Sequence, residues 1–94
     1  VVIGTCIITL YLPTAHSLKD KRRVIKSLLA RIRNEFNVSI AEVDAQDVWQ
    51  QSVLAVVCVS TSPKYAHGQL ETVVRFIEAQ RPDIPLVSYE IELL

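Results

Sequence analysis

The chain has 94 residues, half of them apolar, with ten basic residues balanced by ten acidic ones. That length sets a single domain, 1–94, able to bury one modest core without metals or disulfides, and the apolar half excludes a disordered chain. A net charge of zero gives no bulk argument for nucleic acid, membrane or an acidic substrate.

Residues 1–12, VVIGTCIITLYL, are β-branched and apolar on both alternations, which predicts a central strand ended by Pro13. The uncharged stretch 1–18 carries Thr5, Thr9 and Tyr11 and alternates like a strand, so no membrane helix is expected. No basic region precedes it, so no signal peptide is expected, and without a Met at residue 1 translation is expected to start upstream. Ser17 with Asp20 three residues on resembles a capping box, opening a helix over 18–35. Val24, Ile25, Leu28, Leu29, Ile32 and Phe36 recur at helical spacing and define its buried stripe. Asn37 suits a left-handed exit.

Residues 38–43, VSIAEV, read as a short strand, 44–46 as a connection and 48–60 as a long strand. Pro63 opens a second helix over 63–80, with Leu70, Val73, Val74 and Ile77 inward. Pro82 and Pro85 bracket its exit, and 86–93, LVSYEIEL, alternates as a last strand. The order βαββαβ is that of an α+β, ferredoxin-like sandwich. Right-handed crossovers put both helices on one face of a four-stranded antiparallel sheet of order 4-1-3-2. The other face has no helix to cover it. It carries apolar side chains whichever alternation of strand one points outward, and so reads as an interaction surface, with a homodimer as the expected occupant.

Charge is balanced overall but segregated. Residues 16–37 hold seven basic residues against two acidic, and the rest of the chain three against eight. Lys19, Arg22, Lys26 and Arg33, with Arg23 beside them, are spaced to form one basic stripe, roughly opposite the apolar stripe. A row of about 20 Å suits a phosphate backbone better than a point ligand. A merely solvated helix face is the plainer reading, but only Asp20 is close enough in sequence to neutralise the first four turns.

Catalytic and metal chemistry find little support. Cys6 and Cys58 lie 52 residues apart inside apolar runs and read as core thiols of a reduced compartment. His16 and His67 each stand alone, and Asp44 with Asp47 reads as turn chemistry rather than a metal site. No phosphate loop, serine elbow or nucleophile–base pair occurs. The central strands lack the aromatics on which RNA-recognition domains stack bases. No catalytic residue, metal, cofactor or small-molecule substrate is therefore expected. Trp49, the only Trp, is expected to open strand three, either as an anchor within the fold or as a partner-contact residue.

Three segments resemble the YlxP-like family of small bacterial proteins, a domain of unknown function: SLKDKRRVIKSL at 17–28, FNVSIAEVDAQDVWQ at 36–50 and YEIEL at 89–93. The resemblance spans essentially the whole chain. It implies a ferredoxin-like fold and a cytoplasmic location. Genes of the family tend to lie beside those for translation initiation and ribosome maturation, which implies ribosomal RNA or a ribosome-assembly component as partner. The family brings no catalytic residues. The expectation is a non-enzymatic RNA- or ribosome-associated protein using the basic stripe. The alternative is a protein–protein module working through the open sheet face.

Overall fold

The computed structural model describes all 94 residues. Its elements are β1 (Val2–Tyr11), α1 (Leu18–Glu35), β2 (Ser39–Asp44), β3 (Gln51–Ser60), α2 (Pro63–Gln80) and β4 (Leu86–Leu93). The strands form one antiparallel sheet in the order β2-β3-β1-β4, the expected order read from the other edge. β1 and β3, the two strands apolar on both alternations, are central, each paired with a strand on either side.

The inward alternation of β1 is Gly4, Cys6, Ile8 and Leu10, and that of β3 is Ser52, Leu54, Val56 and Cys58. Over them pack Ile25, Leu28 and Ile32 from α1 and Leu70, Val73, Val74 and Ile77 from α2. α2 comes closest at Gly4. A Cβ there would lie 3.0 Å from Leu70 Cδ1 and 3.1 Å from Cys58 Sγ, so glycine is what lets the helix down onto β1. Phe36 and Phe76 close the seam between the helices edge to face, with centroids 5.3 Å apart.

Both helices begin on a serine. Ser17 Oγ accepts from Asp20 N at 3.1 Å, and Ser62 Oγ from Tyr65 N at 3.2 Å, each satisfying one orphan donor of a first turn. Asp20 returns the bond to His16 N rather than to the cap residue itself. Two local expectations change. Phe36 ends α1 in an extended conformation, φ −131°, and Asn37 is not left-handed. β3 starts at Gln51, leaving Val48 and Trp49 in the turn before it. The single left-handed non-glycine residue is Ala45, φ 59°, in that same β2–β3 connection.

Candidate nucleic-acid interface

α1 lies over β2, and its inner side meets α2, where the Arg31 guanidinium donates to Gln80 Oε1 at 2.8 Å. At about 100° per residue, Lys19, Arg22, Lys26 and Arg33 sit roughly 110° around the helix from its buried stripe. They occupy the flank turned away from α2, above the open edge of β2, rather than the crest opposite the core. Arg33 confirms the direction: its guanidinium donates to the β2 carbonyl Ile40 O at 2.8 Å. That bond occupies Arg33 in the fold and caps one unpaired carbonyl of an edge strand. Arg23 pairs with Asp20 at 3.4 Å and is largely exposed. Lys19, Arg22 and Lys26 are exposed and make no ion pair or side-chain hydrogen bond. The five expected cations therefore separate into three free ones on one row, one paired beside it and one fastened to the sheet.

A sixth cation, which charge counting places on the surface, is inside. Lys21 is fully buried. Its ammonium lies 3.0 Å from Glu42 Oε2 and donates to three main-chain carbonyls: Ala45 O, Gln46 O at 3.3 Å and Gln51 O at 3.1 Å. Ser52 Oγ donates to the same Glu42 oxygen. Three N–H donors thus face four acceptors, and none of these buried polar atoms is left unpaired. The carbonyls belong to the β2–β3 connection, so the ammonium pins the turn that carries left-handed Ala45. Gln50 extends the tie to the end of β1, donating from its side chain to Pro13 O at 3.2 Å and accepting from Leu12 N at 2.9 Å on its carbonyl. The most distinctive parts of the two longer resemblance segments, the basic helix start and EVDAQDVWQ, meet here.

The turn holds Trp49 in the open, half exposed at 51%, with Val48 exposed beside it. Trp49 is therefore not an anchor in the core. His16 contributes its main-chain N–H to Asp20, and His67 Nε2 lies 3.9 Å from Glu71 Oε1. Asp44 accepts from Ala45 N at 2.7 Å, in keeping with turn chemistry. Cys6 and Cys58 are buried free thiols. Burial pushes Cys6 up to about 11, helped by the Glu71 charge, and raises Cys58 as well, so neither resembles an activated nucleophile. The Tyr89 hydroxyl donates to Glu71 at 3.0 Å and is held above its usual range by that bond. The roomiest surface concavity lies between the end of α1 and the start of α2, against Phe36, Tyr65 and Gln69. Neither helix is long and apolar enough to cross a membrane.

Comparison with known proteins bears on the fold and the family. A de novo designed protein, Foldit4, is 14% identical with a TM-score of 0.54, covering all of this chain and 97% of the design. At that identity the likeness concerns the fold alone. A second design, with ferredoxin fold, matches at 13% identity and a TM-score of 0.49, covering 100% and 83%. The uncharacterized protein YlxP of Bacillus subtilis (strain 168) is 43% identical over 65 residues, which are 69% of this chain and 71% of that protein. The model of a family described as "Protein of unknown function (DUF503)" matches residues 3–91, and the chain belongs to that family.

Proposed function

We propose that the protein is a non-enzymatic RNA-binding factor, of the kind that associates with ribosomal RNA, and that it contacts phosphate through the outer flank of α1. The observation that carries this reading is the row Lys19, Arg22 and Lys26, exposed and unpaired beside an open strand edge. Exposed charges of this kind change stability by less than about 1 kcal/mol, so folding does not account for the row. Of the eight acids outside residues 16–37, Glu42 is taken up by Lys21, Asp44 ends β2, and the other six lie on α2, β4 and the turns, which leaves the flank with a concentrated positive potential. Without base-stacking aromatics beside the row, the contact is to the backbone and its sequence preference is weak.

The test is binding of structured RNA as a function of salt. Each phosphate contact contributes roughly 0.7–0.9 to the slope of log affinity against log salt. Replacing Arg22 and Lys26 by Ala together lowers that slope by about 1.4–1.8 while the melting midpoint stays put. Absence of RNA affinity at low salt, or an unchanged slope in the double variant, would contradict the reading. Arg33 is left intact, because its bond to Ile40 O would confound charge with fold.

A further inference from the structure

The sheet face turned away from the helices bears the odd residues of β1 and their register partners. On β1 these are Ile3, Thr5, Ile7, Thr9 and Tyr11, facing Val59, Val57, Ala55, Val53 and Gln51 of β3. The edges differ. β4 contributes Glu90 beside Ile7 and Glu92 beside Thr5, whereas at those levels β2 contributes small residues, Ala41 beside Ala55 and Ser39 beside Val57, with Asp44 beside Val53 past the bulge. No Lys or Arg lies on these strands. Arg33 from α1 places its guanidinium at the β2 edge at Ile40, between the levels of Ser39 and Ala41.

We infer that this face is covered by a second copy of the chain, sheet on sheet, about a twofold axis running along the strands between β1 and β3. Two features of the face select that occupant. The first is area. Strands of ten, six, ten and eight residues, with a rise of about 3.3 Å per residue and a spacing of about 4.8 Å, make a face of roughly 540 Å², so pairing two copies buries about 1,080 Å². That clears the roughly 1,000 Å² expected of a biological interface.

The second feature is self-complementarity, and it also fixes the axis. An axis along the strands lays β4 of one copy over β2 of the other at the same level. Glu90 and Glu92 then arrive above Ala41 and Ser39, where the side chains are small and Arg33 stands at the edge. The same operation seats Ile7 over Ala55 twice, a large side chain over a small one. An axis across the strands would instead lay β4 on β4 and oppose Glu90 to its own copy, an arrangement that like-charge repulsion disfavours.

The test uses the full chain, freed of nucleic acid, in sedimentation equilibrium and cysteine cross-linking. Wild type is expected to sediment at twice 10.6 kDa at high micromolar concentration. Ala55→Arg, which places an unpaired charge at the centre, is expected to raise the dimer dissociation constant at least about 100-fold without changing the circular dichroism spectrum. The native thiols are buried, so new surface cysteines report alone. A mixture of Ala41→Cys and Glu90→Cys chains is expected to form mixed disulfide dimers faster than either variant alone. A monomer at every concentration would leave the face to a different protein and overturn the inference. So would an Ala55→Arg chain that stays dimeric, or Glu90→Cys alone cross-linking fastest.

Discussion

Lys21 and Lys26 stand five residues apart on one helix and belong to different parts of the molecule. Lys21 points between α1 and the β2–β3 turn and is surrounded by Glu42 and three carbonyls. Lys26 points past the edge of β2 into solvent, with no partner. The difference is angular: Lys21 shares the stripe of Ile25, Leu28 and Ile32, and Lys26 lies about 140° from it. A run of basic residues on a helix is thus two systems. One cation builds the fold, and a row of others is available for a partner.

The sharpest way to break that distinction is to remove each lysine in turn. Lys21→Ala leaves a half-buried carboxylate and three carbonyls without their donor, and is expected to lose about 3–5 kcal/mol in urea unfolding. Lys26→Ala is expected to stay within about 0.5 kcal/mol of wild type. Equal losses would show that the buried ammonium has no special role. Adding Glu42→Gln to Lys21→Met tests the pair itself: the double variant is expected to lose less than the sum of the singles, because the second change removes a charge already orphaned.

The two glycines allow a similar contrast at smaller size. Gly4→Ala drives a Cβ against Leu70 and Cys58 and is expected to cost about 1–3 kcal/mol by overpacking. Gly68→Ala meets open space on α2 and is expected to stabilise by up to about 1 kcal/mol. A thermal denaturation series that ranks the two the other way would refute the close approach of α2 to β1.

The buried thiols set a pH limit distinct from the flank's exposed charges. In the fold Cys6 ionises near 11 instead of 9.0, so the unfolded chain gives up its thiol proton first as pH rises. Stability from this source is therefore full below 9.0 and is lost progressively toward about 11. Unfolding midpoints measured across that range should fall, and should fall less in Cys6→Val. A small effect is also expected at Ala45. Glycine there relieves a left-handed alanine, and Ala45→Gly should be neutral to stabilising by about 1 kcal/mol in urea unfolding.

Much of the fold was legible because periodicity and end signals agreed. The bounds of α1, α2 and β4 follow from Ser17, Pro63, Pro85 and the spacing of apolar residues, and the observed elements match those bounds. The buried network was written in the sequence less openly. Lys21, Glu42 and Ser52 each occupy an inward position of their own element: Lys21 precedes Ile25 by four, Glu42 follows Ile40 by two, and Ser52 precedes Leu54 by two. Taken singly, each reads as an ordinary polar residue. Only the fold shows that the three inward positions converge. Val48 and Trp49 have the composition of a strand, yet the turn pinned by Lys21 keeps them out of β3. Arg33 matched the basic stripe in spacing, but spacing along a helix says nothing of the strand edge beneath it.

A phosphate-binding row on α1 is tested most directly by the salt dependence of RNA binding in two variants of equal net charge. One is Arg22→Ala with Lys26→Ala on the α1 flank. The other is Lys64→Ala with Arg75→Ala on α2, both exposed. The flank pair is expected to lower the slope of log affinity against log salt by about 1.4–1.8, and the α2 pair to leave it within about 0.3 of wild type. Equal losses in the two variants would mean that only overall charge matters, and would contradict a phosphate-binding row on α1.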